Sequence, residues 1–184
     1  MRVFISVELP DEIKKKVAEA AAPLKEVESG IKWVETHNLH ITLKFLGWVE
    51  DPKIDNMIEL TNKAVAGTGS FKVKFSGMGT FPPGKSPRVI WVGVNEGGDT
   101  LAQLAEALEE GLSRAGYRSE GREFSSHITI GRVKDKKGVD KVKERMAEIQ
   151  KTDFGEMVVD HIDIMKSTLS PKGPVYEKIK EVIL

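Results

Sequence analysis

His40-Ile41-Thr42-Leu43 and His127-Ile128-Thr129-Ile130 are two copies of one tetrapeptide pattern, 127 − 40 = 87 residues apart in a chain of 184. Each sits in a run where polar and apolar residues alternate, the period of a half-buried strand. The spacing predicts strands over 40–46 and 127–133. Successive strand side chains point to opposite faces, so each His shares a face with its Thr while the Ile and Leu neighbours point the other way. Each copy therefore presents an imidazole and a hydroxyl together, anchored by apolar residues in the core. Two such strands, related by an approximate internal twofold, would bring four polar side chains to one cleft.

The rest of the chain reads outward from these strands. Val3, Ile5 and Val7 alternate with Arg2, Phe4 and Ser6, which predicts a strand over 2–8. Pro10 then opens a helix whose apolar stripe is Ile13, Val17, Ala20/Ala21, Leu24 and Val27. A strand at 31–34 precedes the first motif, and a helix near 52–66 follows it, with Ile54, Met57, Ile58, Thr61 and Val65 on one side. Strands near 70–76 and 88–94 flank the Gly/Pro-rich segment 77–87. Helix 98–115 carries Leu101, Leu104, Ala105, Leu108 and Leu112 at helical spacing. After the second motif come a short helix near 138–149 and strands at about 155–169 and 175–183, joined by a turn over 170–174. The interleaving lacks the regular strand–helix alternation of a Rossmann fold. It predicts an α+β protein with antiparallel or mixed sheets and helices packed outside. No linker-like stretch divides it, so residues 1–184 read as a single domain.

Composition narrows the function. Lys+Arg and Asp+Glu both number 28, so the formal net charge is zero, and there is no cysteine. Zero charge argues against coating a long nucleic acid, an affinity that comes from neutralising phosphates, and favours a short stretch or an end. The missing cysteines exclude disulfides, thiolate nucleophiles and Cys-based zinc sites. No run reaches transmembrane length, which predicts no membrane association and a cytoplasmic protein, read here as a monomer.

Paired imidazoles and hydroxyls suit phosphodiester cleavage. A neutral imidazole takes a proton from water, an imidazolium protonates the leaving alkoxide, and Thr hydroxyls donate to the non-bridging oxygens. Only histidine populates both protonation states near neutrality without perturbation. The sequence does not say which histidine plays which part.

The ordered set of motifs resembles the RNA 2′,3′-cyclic phosphodiesterases of the 2H phosphoesterase superfamily, the group also called 2′-5′ RNA ligases. It comprises Arg2 to Pro10, Trp33, Asn38 to Gly47, Phe81-Pro82, Pro87 to Gly93, His127 to Arg132 and Gly173 to Tyr176. The family often has proline before the second histidine; here Ser126 stands there. The resemblance implies a bilobal α+β fold of two pseudo-symmetric lobes around a central cleft. It implies metal-independent hydrolysis of a cyclic phosphate at an RNA 3′ end to a 2′-phosphomonoester, with no cofactor. In that reading His40 donates the proton and His127 accepts it. The partner is the RNA end or a small nucleotide. Ligation through a 2′-5′ bond by the reverse chemistry, and a non-catalytic module that binds RNA ends or nucleotides, are the alternatives.

Other residues carry two readings each. Arg132 lies three positions beyond Thr129, so strict alternation turns it away unless Gly131 relieves it through a bulge; it is a phosphate clamp or a surface charge. Lys44 alternates onto the face of His40 and either steadies a phosphate or sits exposed. Phe45, Phe4 and Tyr176 are candidates for stacking a terminal base, with core packing the competing reading, taken here for Phe4 and Phe45. Gly79 to Ser86 matches a phosphate-loop spacing, but two prolines remove N–H donors and no helix starts at Lys85-Ser86. Asp160-His161-x-Asp163 is the best metal candidate, yet no neighbour in sequence completes a ligand set, so it reads as a solvated face or an ion pair. His37 reads as a surface residue, and 134–151 as a solvated helical face.

Overall fold

The computed structural model describes residues 1–171 and 173–184. Its strands are β1 (Arg2–Glu8), β2 (Ile31–Trp33), β3 (His40–Trp48), β4 (Phe71–Phe81), β5 (Val89–Glu96), β6 (His127–Val133), β7 (Asp153–Val159), β8 (His161–Ser170) and β9 (Gly173–Ile183). The helices are α1 (Asp11–Lys25), α2 (Ile54–Val65), α3 (Gly98–Arg114) and α4 (Val139–Glu148). Each helix forms where the apolar period is 3.6: α3 buries Leu101, Leu104, Ala105, Leu108 and Leu112, and α1 buries Ile13, Val17, Ala21 and Leu24. Each buried Leu, Ile or Val among them contributes about 1.5–3 kcal/mol by leaving water. None of the described helices is long and apolar enough to cross a membrane.

The strands form one nine-stranded sheet in the order β7-β4-β5-β6-β3-β1-β8-β9, with β2 on β6. Every pairing is antiparallel. The two His strands are the central neighbours, with four strands on each side counting themselves, so the expected halves are halves of one sheet. They touch at a single register point, Ile41 against Ile128, both fully buried. Beyond that point the strands part. The edge of β6 is taken by β2, with Trp33 opposite Gly131. The edge of β3 is taken by the α3–β6 loop, whose Glu120 carboxylate accepts the Phe45 N–H at 2.6 Å. A Cβ at Gly131 would stand 2.9 Å from Ile31 and 3.1 Å from Trp33, so this close approach needs glycine.

Each half is completed by chain from beyond the other half's motif. β4, which follows the first His strand, pairs with β5, and β8, which follows the second, pairs with β1. The expected single strand over 155–169 is therefore two strands, parting at Asp160. β7 pairs with β4 at one edge of the sheet, and β8 pairs with β1 near the other. β4 also runs further than expected, to Phe81, pairing through the supposed loop as far as Phe81 opposite Val89. No helix follows Lys85-Ser86, where the chain turns into β5, so the phosphate-loop match is a strand connection.

Candidate active site

A cavity of about 950 Å³ opens where β3 and β6 diverge. His40, Thr42, Phe45, His127, Thr129, Arg132 and Tyr176 all line it. No residue of the four α-helices does, so the helices cover the other face of the sheet.

Two bulges decide which side chains reach the cavity. On β6, Thr129 pairs with Trp91 and Gly131 with Ile90, which leaves Ile130 without a partner. Arg132 then pairs with Val89, and it shares the face of His127 and Thr129, opposite Gly93, Trp91 and Val89. On β3, Thr42 pairs with Ser6 and Lys44 with Ile5, leaving Leu43 unmatched, and Phe45 pairs with Phe4. The bulge keeps Phe45 on the face of His40 and Thr42. The two copies match: 45 − 40 = 5 and 132 − 127 = 5.

The same bulge corrects two expectations. Lys44 is turned away from His40 and is only 1% exposed. It ion-pairs with Glu109 of α3 and donates to the Arg118 carbonyl at 3.0 Å, so it is neither a phosphate ligand nor an exposed lysine. Phe45, read as core, is 39% exposed and lines the cavity. Phe4 keeps its core position at 4% exposure. It packs beneath the site, its ring centroid 5.1 Å from His40 and 4.9 Å from Tyr176. Tyr176 stands edge-on to His40, centroids 5.4 Å apart.

The two histidines are held alike. His40 Nδ1 lies 2.7 Å from the Asn38 carbonyl, and His127 Nδ1 lies 2.7 Å from the Ser125 carbonyl. A carbonyl only accepts, so each Nδ1 carries a hydrogen and donates, leaving Nε2 to exchange a proton. His40 Nε2 is 2.9 Å from Thr42 Oγ1. Burial lowers both imidazole pKa values from the ordinary range. The main-chain bonds oppose this, and Arg132 lowers both further. His40 also feels Glu8, which raises it, and Lys14, which lowers it; His127 feels Arg122, another lowering charge, and no carboxylate. Burial raises the Tyr176 phenol.

Residue types alone did not mark several of these neighbours. Asn38 and Ser125 act through main-chain carbonyls, which any residue supplies. The Asn38 amide also donates to the Pro174 carbonyl at 3.1 Å, tying the β8–β9 hairpin to the first motif. Phe81 stands edge-on to His127, centroids 5.3 Å apart, and packs on Trp91. Arg2, Lys32, Arg118, Arg122, Arg132 and Lys134 line the cavity against two carboxylates, Glu35 and Glu120. A chain of zero net charge thus keeps a cationic cleft. His37 is exposed, as expected, at the cavity rim.

The metal candidate gains the third group its sequence neighbours lacked. Glu181 faces Asp163 across β8–β9, and ligand atoms of His161, Asp163 and Glu181 lie within 4.8 Å of one another. The Lys178 ammonium sits 2.9 Å from Asp163 and 3.2 Å from Glu181, neutralising the buried carboxylate. The ion-pair reading describes the cluster, which lies outside the cavity lining.

Antiparallel halves around a cleft lined by two His-x-Thr strands define an α+β fold of the two-histidine phosphoesterase type. The family model of the 2′-5′ RNA ligase superfamily matches residues 4–170, and the chain belongs to that superfamily. It is 40% identical over 181 residues to the RNA 2′,3′-cyclic phosphodiesterase of Methanocaldococcus jannaschii, covering 98% of this chain and 99% of that one. It is also 40% identical over 183 residues to the protein of that name from Thermotoga maritima, covering 98% and 94%. Among solved structures, TT0787 of Thermus thermophilus superposes with a TM-score of 0.82 at 29% identity, covering 100% of this chain and 98% of that one. E. coli LigT complexed with 3′-AMP shares the fold, with a TM-score of 0.80 at 23% identity, covering 100% and 97%.

Proposed function

We propose that the chain is an RNA 2′,3′-cyclic phosphodiesterase that opens the cyclic phosphate at an RNA 3′ end to a 2′-phosphomonoester by metal-independent acid–base catalysis. The observation that carries this reading is the shared restraint on the two histidines, each with Nδ1 on the carbonyl two residues earlier and Nε2 left to exchange protons at one cavity. Water attacks phosphorus as His127 Nε2 takes its proton. The P–O3′ bond breaks, and O3′ receives a proton from His40 Nε2–H. The 2′-phosphate and a free 3′-hydroxyl remain. Thr42, Thr129 and Arg132 donate to the non-bridging oxygens, where charge accumulates.

The two histidines differ in charge environment: Glu8 acts on His40 against the lowering by burial, Lys14 and Arg132, whereas the side-chain charges acting on His127, Arg122 and Arg132, are both cations. Phe45 and Tyr176 offer ring faces for the terminal base. One chain supplies every group invoked, so the enzyme works as a monomer on RNA. The reverse reaction would join ends through a 2′-5′ bond with the same imidazoles, but water is far more concentrated than an RNA hydroxyl. A module that only bound RNA ends would have no use for a tautomer-fixed acid and base.

The test is a short RNA with a 2′,3′-cyclic end, incubated with EDTA, followed by separation of 2′- from 3′-phosphate products. Hydrolysis to the 2′-phosphate is expected to persist in EDTA. His40→Ala and His127→Ala should each lose about 10²–10⁴-fold in kcat. Activity abolished by EDTA, or unchanged in either variant, overturns the mechanism.

A further inference from the structure

We infer that the enzyme also holds the nucleotides 5′ of the cyclic phosphate, as extended single-stranded RNA on a platform of Phe45, Trp48, Arg2 and Arg118 at the mouth of the cavity. The inference rests on the hydrolase reading above and names the part of the substrate that reading leaves unplaced. Trp48 closes β3 and is 75% exposed, whereas tryptophan is on average among the well-buried residues. Its direction follows from a second irregularity in β3. Phe4 pairs with Phe45 and Val3 with Gly47, so Leu46 is passed over, and Gly47 adopts φ 72°, the left-handed region that favours glycine. Trp48 consequently stands opposite Arg2.

Along β1, Glu8, Ser6, Phe4 and Arg2 share one face, and their partners His40, Thr42, Phe45 and Trp48 share it too. The row leads from the proton-exchanging imidazole to the exposed indole. Six residue steps along β1, from Glu8 to Arg2, separate its ends, about 20 Å at strand rise, which reaches well beyond one nucleotide. The chemistry of the row changes along its length in the way a nucleic-acid strand requires. At its inner end stand the imidazole and hydroxyl that meet the phosphate. Beyond them come Phe45, whose ring is 6.2 Å from that of Phe4, and then Trp48, two aromatic faces able to stack successive bases. Arg2 and Arg118 both line the cavity; Arg2 stands opposite Trp48, and the Arg118 side chain runs within 3.6 Å of where a Cβ on Gly47, between Phe45 and Trp48 in sequence, would stand. Two cations thus accompany the aromatics, as a phosphate backbone needs. Glu120, the carboxylate on this side, is engaged by the Phe45 N–H at 2.6 Å and by Arg122 at 3.5 Å. Leu169, 68% exposed on the β8–β9 hairpin, lies two residues beyond Ser167, the Arg2 partner on β8, and both line the cavity. Continuity with the cavity and the two cations identify the occupant as RNA rather than an apolar peptide.

The experiment compares kcat/KM for a 2′,3′-cyclic mononucleotide and for a tetranucleotide with a 2′,3′-cyclic end, in the wild type, Trp48→Ala and Trp48→Phe. The tetranucleotide should be preferred at least 10-fold by the wild type. Trp48→Ala should lose about 5- to 100-fold on the tetranucleotide alone, the loss of one base–aromatic stack, and Trp48→Phe should recover most of it. Equal losses on both substrates, or no tetranucleotide preference in the wild type, overturn the platform. If the wild type turns over neither substrate, the hydrolase reading fails separately. Binding of a fluorescent tetranucleotide bearing a 2′-phosphate then decides: unweakened binding in Trp48→Ala overturns the platform, and weakening by the same factor supports it.

Discussion

Replacing Arg132 by Met removes one charge while keeping the stem, and the structure gives this change two effects of opposite sign. Arg132 reaches the cavity only because of the bulge at Ile130, and its charge acts on His40, His127 and Tyr176 together. In the proposed reaction it donates to a phosphoryl oxygen in the transition state. Loss of one such preorganised donor costs about 2.7–4 kcal/mol, or about 10²–10³ in kcat. Hydrogen bonds from an ionised donor are about twice as strong as neutral ones, so Thr42→Val, which removes a neutral donor to the same oxygens, should cost less in kcat than Arg132→Met.

The second effect is on pH. Arg132 disfavours both imidazolium forms, so its removal raises both pKa values, and the bell of kcat/KM against pH moves to the alkaline side. Burial, the largest cause of the depression at both histidines, is unchanged, so both limbs still fall below those of a free imidazole. The assay is steady-state hydrolysis of a cyclic mononucleotide across pH 4 to 9 at constant ionic strength, since exposed charge effects are screened by salt. Its limbs belong to the pair rather than to one residue. A kcat within about fivefold of wild type, or a bell that moves to the acid side, would refute the placement of Arg132 as a phosphate ligand.

Glu109→Gln should destabilise the protein by about 2–3 kcal/mol, because the fully buried Lys44 ammonium loses its counter-charge; at this chain length that lowers Tm by about 4–12 °C in calorimetry. Burial alone would raise the Glu109 pKa, but the bonds from Lys44 and Ser119 outweigh it and leave it lowered. This contribution is present above the unfolded carboxylate pKa and disappears as pH falls through the folded one, so the two proteins should converge in Tm on acidification. We further propose that residues 1–184 form one cooperative unit, since each half takes strands from beyond the other half's motif. A single urea transition, coincident by tryptophan fluorescence and circular dichroism, is expected, and two separated transitions would oppose it.

How far the sequence could be read depends on what kind of order each feature has. The helices were legible because their stripes repeat every 3.6 residues within one segment. The two His strands were legible because period 2 holds through each tetrapeptide. The break between β7 and β8 was not, because Phe154, Val159, Ile162 and Ile164 are buried on both sides of it. What differs there is the partner, β4 before Asp160 and β1 after it, and partner choice is long-range. Tyr176 stood out as an aromatic able to stack a base, but its place beside His40 and Phe4 was not legible, since both lie far away in sequence.

The bulges are the deeper reason. Leu43 and Ile130 look like ordinary inward strand residues, and both are buried. Strict alternation through Leu43 assigns Lys44 to the catalytic face and Phe45 to the core, and the bulge reverses both. At Ile130 the hint was visible, because Gly131 follows and a glycine in a strand often marks such a site. On β3 the corresponding position is Lys44 itself, which gives no hint. The paired bulges also place unlike residues at equivalent points, Phe45 beyond one Thr and Arg132 beyond the other. A substrate bridging them meets a ring on the His40 side and a cation on the His127 side, so the duplicated backbone presents an asymmetric surface. A nucleoside phosphate has the same asymmetry, a base at one end and an anion at the other. In the proposed reaction this asymmetry would orient the ligand in a pseudo-symmetric cleft and let two nearly identical His-x-Thr strands take opposite parts.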